Sequence, residues 1–144
     1  MTRMMSACGV LCSGCPAFRD RDDGIDRQET SAAWRRSNGL KHKAGDISCA
    51  GCLGSDDQLF HTCRKCKARR CCRIKGLRSC AECTVKSCAL LEKAQAQWDG
   101  VAKLVQVVGR ADFAEYAKPY CNHRERLERA RRAAAKRRRA NASK

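Results

Sequence analysis

Thirteen cysteines stand in a chain of 144 residues, and their spacing is the chemistry most visible in it. They fall into ordered groups. Cys8-Gly-Val-Leu-Cys12-Ser-Gly-Cys15-Pro16 is a C-x3-C-x2-C run, followed by Cys49-Ala-Gly-Cys52 and Cys63-Arg-Lys-Cys66. The pair Cys71-Cys72 comes next, then Cys80-Ala-Glu-Cys83 with Cys88, and Cys121 stands alone. A C-x2-C turn places both sulfurs on one side of a tetrahedral ion, with Zn–S bonds of about 2.3 Å. Cys49, Cys52, Cys63 and Cys66 therefore read as a closed four-thiolate zinc site. Cys71, Cys80, Cys83 and Cys88 read as a second. Cys8, Cys12 and Cys15 form a three-thiolate cap that needs a fourth ligand from Cys72, Cys121 or a histidine. An interleaved set, with Cys12 and Cys15 joining Cys49 and Cys52, uses the same spacings, so the pairing stays open. The expected cofactor is Zn²⁺, about two or three ions.

Disulfides are the competing staple. Met1–Ala7 has no apolar segment of the kind that directs secretion, and an odd number of cysteines suits a disulfide framework poorly. The expectation is a cytoplasmic protein, where reducing conditions turn dense cysteine toward metal. An iron–sulfur cluster is the alternative cofactor. C-x3-C-x2-C is the cluster spacing of radical S-adenosylmethionine enzymes, but those set it on a large α/β barrel for which this chain has neither length nor repeated βα pattern. The bacterial ferredoxin run C-x2-C-x2-C-x3-C-P is not reproduced.

The elements that must hold these sulfurs have little oil to work with. Leu, Ile, Val and Phe together make up about 15% of the chain, so a large apolar core is excluded and metal binding must compensate. No apolar run approaches the length that spans a bilayer. Helix formers run from Asp20 to Ser37 and close at Asn38-Gly39. Asp22, Asp23 and Thr30 are the candidate N-caps, and Ala33 and Trp34 are placed to face the metal core. Residues 40–88 read as short loops and turns. From Ala89 to Val108 apolar residues recur at helical spacing, interrupted at Asp99-Gly100. Asp112 is a candidate cap for a short helix, Phe113 to Ala117, stopped by Pro119. No β alternation is visible. Trp34 and Trp98 read as core anchors.

The net charge of +16 sits in two blocks, residues 63–88 and 122–144, each with a net charge of +8; the rest of the chain is neutral. Within 64–78 the cations surround Cys63, Cys66, Cys71 and Cys72, where they offset thiolate charge. They also make a footprint for a phosphate backbone. The segment 124–139 consists of helix formers, with Glu125 and Glu128 each four residues before an arginine. Only Leu127 is strongly apolar there. It reads as a solvated basic tail able to clamp nucleic acid or an acidic protein surface, without base readout, because stacking aromatics are absent.

Enzymatic machinery is not evident. Ser13 and Ser48 have no positioned base, and there is no glycine-rich phosphate loop. Asp56-Asp57 reads as a solvated turn rather than a hard-metal site. His61, two residues before Cys63, and His123, near Cys121, are the histidines placed to replace a cysteine ligand.

On these residues the chain resembles DUF3795, a cysteine-rich bacterial and archaeal family. Cys8, Gly9, Cys12, Cys15 and Pro16 match its opening, Cys49, Gly51 and Cys52 its middle, and Cys63, Cys66 and Cys71 the next block. Lys75, Gly76, Cys80, Glu82, Cys83, Cys88 and Leu91 match its close. The resemblance spans residues 8–92. Cys72, Ala68 and Ser87 depart from the pattern, Cys72 standing where alanine is usual and offering an alternative sulfur. The resemblance implies a metal-binding domain with no established reaction. The expected architecture is a small, mostly α, irregular metal-stapled cysteine-rich domain over 1–121, with a basic helical or disordered tail over 122–144. The expected function is that of a zinc-binding structural or interaction module, more a binding protein than an enzyme. An iron–sulfur electron-transfer or sensing protein is the alternative.

Overall fold

The computed structural model describes residues 3–19, 26–39 and 41–144. Among them are seven α-helices: α1 (Arg27–Asn38), α2 (His61–Arg64), α3 (Lys67–Ile74), α4 (Ala89–Ala96), α5 (Val105–Val108), α6 (Arg110–Tyr116) and α7 (His123–Ala142). Short 3₁₀ turns join them, and the described residues contain two isolated β-bridges and no strand. The chain is thus small and mostly helical, as the absence of alternation predicts.

Helix α1 ends where expected, on Gly39 in the left-handed conformation at φ 70°. Its start is different. Asp26 is the N-cap, its carboxylate accepting from the Gln28 and Glu29 amides. Asp22 and Asp23 lie outside the described residues. Thr30 is not a cap but a fully buried residue one turn in, its hydroxyl donating to the Asp26 carbonyl. Ala33 and Trp34 are buried, as their place on the helix predicts.

Residues 40–88 are not all loop. Helix α3 forms there because Cys66 caps it, its sulfur accepting from the Arg69 amide, and because Ala68 and Cys72 sit one turn apart on a buried face. The break at Asp99-Gly100 is present, between α4 and the turn that leads into α5. Asp112 does not cap α6, which begins after Gly109. It instead meets the Arg36 guanidinium at 3.1 Å and ties α6 to α1. The helix stops at Tyr116, ahead of Pro119.

Two small cores result. One gathers Ala7, Val10, Ala68, Leu91, Ala94 and Leu127, and the other Ala17, Trp34, Ile47, Leu59 and Phe60. Cys15 packs against both. The expectation that α7 lacks a packing face is not met. His123, Leu127 and Ala134 are buried on one side, and Arg126 reaches the Gly9 carbonyl at 2.7 Å. Small alanines and the aliphatic stems of arginines provide the contact that hydropathy does not reveal.

Candidate metal centre

Each cysteine is positioned by a local device. The opening loop is held by the Leu11 amide on the Pro119 carbonyl and by the Cys80 amide on the Ala7 carbonyl. The bridge Phe18–Cys49 aligns it with the second loop. Gly9, at φ 103°, leaves no room for a side chain, since a Cβ there would collide with the His123 carbonyl oxygen. Gly51, at φ 83°, is closed off in the same way by the Met4 sulfur. These glycines let the loops press against neighbouring backbone and side chains.

Cys8, Cys12, Cys15, Cys49, Cys52, Cys63 and Cys66 all line one cavity of about 240 Å³. Trp34, Phe60, Trp98 and Tyr120 form part of its wall. The contacts cross between loops. Cys12 and Cys52 shift one another's acidity in opposite directions, as do Cys49 and Cys63. Cys15 Sγ lies 3.0 Å from the Tyr120 hydroxyl, and Cys8 Sγ 3.2 Å from Ser6 Oγ.

Cys71, Cys72, Cys80, Cys83 and Cys88 line a second, smaller cavity of about 40 Å³. Cys72 Sγ and Cys80 Sγ are 3.5 Å apart. Cys72, the sulfur left out of the spacing-based set, is therefore a central member of this group. Its signal is the i, i+4 relation to Ala68, which turns Cys72 rather than Cys71 onto the buried face of α3.

Charge follows these contacts. Neighbouring Cys63 holds Cys49 down at about 6, with the Gly51 amide and Arg69 helping. Cys52 is lowered by Cys12, with a further contribution from Arg69, while their partner thiols and then burial push Cys12 and Cys63 up. Cys72 is lowered by its hydrogen bond with Cys80. Arg69 is 2% exposed, and its guanidinium donates to the Cys52 carbonyl at 2.9 Å and pairs with Asp56 at 2.6 Å. One buried cation thus both braces the Cys52 loop and favours its thiolate.

The remaining candidates stand apart. Cys121 donates to the Ala117 carbonyl and lines neither cavity. His61 is exposed and packs on Phe60 and His42. His123 donates from Nε2 to the Gln95 carbonyl at 2.9 Å. The imidazole that does border the large cavity is His42, whose buried Nε2 has no hydrogen-bond partner. Ser13 is buried and receives the Met4 amide.

The donors in both groups are sulfurs, which select soft metals over magnesium or calcium. All thirteen cysteines are free thiols. Two sulfurs on one tetrahedral zinc lie about 3.8 Å apart, and the Cys72–Cys80 separation is close to that edge. Among the described residues, no three His, Cys, Asp or Glu side chains converge closely enough to hold an ion as they stand. The thiols fit a soft metal in kind, and the Cys72–Cys80 pair also in its separation.

The profile of the DUF3795 family, described as a protein of unknown function, matches residues 4–93. The chain belongs to that family. The match takes in both thiol groups and ends inside α4, so Cys121 and α7 lie beyond it. No curated protein and no solved structure matches the chain. No described helix of this DUF3795 member is long and apolar enough to cross a membrane.

Proposed function

We propose that this DUF3795 protein is a structural and interaction module folded around thiolate-bound zinc. The observation that carries the reading is the convergence of seven cysteines from residues 8–15, 49–52 and 63–66 on one cavity, with Cys72 and Cys80 3.5 Å apart in a second group. Sulfurs brought together across tens of residues, with a buried arginine favouring thiolate, suit metal-linked folding better than catalysis. Bound zinc would tie loops 8–15 and 49–66 together at one centre and 71–88 at another. Metal binding would then be folding free energy, on the order of 10 kcal/mol per site. A reducing, cytoplasmic setting fits the free thiols. The reading assigns no reaction.

The test is metal content. The purified chain should carry about two or three zinc ions, and Cys52→Ala should lose metal and melt at lower temperature. A variant with unchanged metal count and melting curve would remove Cys52 from the ligand set.

One observation favours a second reading. Seven cysteines around about 240 Å³ exceed what a single four-thiolate zinc site uses. They leave room for an iron–sulfur cluster and an electron-transfer or sensing role. Iron and acid-labile sulfide in matching amounts would replace zinc by this reading.

A further inference from the structure

The two basic blocks, distant in sequence, meet in the fold. Arg131 of α7 donates to the Cys80 carbonyl and Arg138 to the Glu82 carbonyl. The Arg78 amide donates to the carboxylate of the same Glu82, and Lys75 lines the small cavity together with Arg131. The second half of α7 therefore runs beside the segment that carries Lys75 and Arg78. Between Cys63 and Cys88, Glu82 is the single acidic residue.

Thiolates account for only part of this charge. Helical geometry of 100° per residue puts Leu127, Ala130, Ala134 and the inward-reaching Arg131 and Arg138 on one side of α7. Arg129, Arg132, Lys136 and Arg139, spaced three, four and three residues apart, fall on the opposite side, and all four are exposed. Such a stripe points away from both thiol groups, so offsetting sulfur charge cannot explain it. Glu125 and Glu128 share the outer face at its near end, and Glu128 stands 4.0 Å from Arg132. Beyond Arg129 every charged side chain on this face is cationic, with Ala133 and Ala140 between them, and the row spans about 15 Å along the helix. Burial of His123, Leu127 and Ala134 fixes the helix on the body and presents the stripe without the entropy loss of a loose tail.

We infer that the outer face of α7 is a docking surface for the phosphate backbone of a nucleic-acid duplex. A duplex carries about one charge per 1.7 Å of axis, a dense anionic partner for such a row. The face holds no aromatic side chain, so it lacks the stacking platforms that single-strand binding uses, and it reads no sequence. This surface stands independently of which metal the thiols hold.

The test uses the full chain and fluorescein-labelled duplexes of about 20 base pairs, one DNA and one RNA, with anisotropy followed across a salt series. Wild-type binding should weaken steeply with salt, and the two duplexes show which backbone geometry is preferred. Replacing Arg129, Arg132, Lys136 and Arg139 together by Gln keeps good helix formers in place, verified by circular dichroism. It should lower the log–log salt slope by about 3 to 4 and raise Kd at least about tenfold. Replacing Lys41, Lys43, Lys103 and Arg110 by Gln should leave both within error. An unchanged slope in the α7 variant, an equal loss in the control, or tighter binding to single strands would overturn the inference. Polyglutamate competing as well as duplex at equal charge would overturn it in favour of an acidic protein partner.

Discussion

The Cys15 thiol and the Tyr120 hydroxyl lie 3.0 Å apart although 105 positions separate them in the chain. Tyr120 stacks on Trp98 with ring centroids 4.7 Å apart, and desolvation together with the adjacent sulfur pushes its phenol well above the usual range. The hydroxyl therefore stays protonated and donates to Cys15 whenever that sulfur is thiolate. This contact closes the thiol cavity from the C-terminal side and joins the region beyond the family match to the cysteine loops.

Tyr120→Phe removes this bond and keeps the ring. It should cost about 1 kcal/mol, whereas Tyr120→Ala, which also empties the stack on Trp98, should cost about 3–5 kcal/mol. Denaturant unfolding of the two variants gives the comparison. Equal losses would show that the hydroxyl contributes nothing of its own.

Gly9→Ala introduces a Cβ at φ 103° against the His123 carbonyl oxygen and Leu127. The clash and the strained backbone should together destabilise the protein by about 2 kcal/mol or more. Removing α7 relieves the clash, so the same substitution should cost less in a chain ending at Asn122. A Gly9→Ala protein as stable as wild type would mean that α7 does not rest on this loop.

Cys72→Ala should strip metal from the second thiol group, while Cys121→Ala should leave the metal content unchanged. Cys72 is in contact with Cys80, and Cys121 meets only a backbone carbonyl. Plasma emission on both purified variants distinguishes them. Full metal content in Cys72→Ala would return the role to Cys71.

Cys49 gives a pH signature in the metal-free protein. Its folded-state value is held down to about 6 from 9.0, chiefly by neighbouring Cys63. A depressed acid contributes its stabilisation fully above the unfolded value, and the contribution fades as pH falls toward 6 and is gone below it. Thiolate absorbance should thus show a step near pH 6 that moves upward in Cys63→Ala. A step that stays in place would mean that Cys63 is not its cause.

Much of this architecture can be read from residue types. The cysteine groups, the Gly39 cap, the interruption at Asp99-Gly100 and the stop before Pro119 are local signals, and the structure carries each. Other features depend on contacts that local pattern does not encode. Helix α3 and the packing side of α7 use alanine, cysteine and arginine stems, so their faces carry almost no hydropathy contrast. Asp26 is the last of four aspartates between positions 20 and 26, and its carboxylate, accepting from the Gln28 and Glu29 amides, marks it as the cap. That Cys8, Cys12 and Cys15 share a cavity with Cys49, Cys52, Cys63 and Cys66 is set by loop docking rather than spacing. Cys72 and His42 enter the cavity walls through the turn of a helix and the packing of rings.

The most direct test of the central claim is elemental analysis, per mole of anaerobically purified full-length chain, for zinc, iron and acid-labile sulfide. The expected result is about two or three zinc ions, reduced in Cys52→Ala and in Cys72→Ala, with no iron. A folded chain without stoichiometric metal would contradict it, and iron matched by sulfide would replace zinc with a cluster in the seven-cysteine cavity.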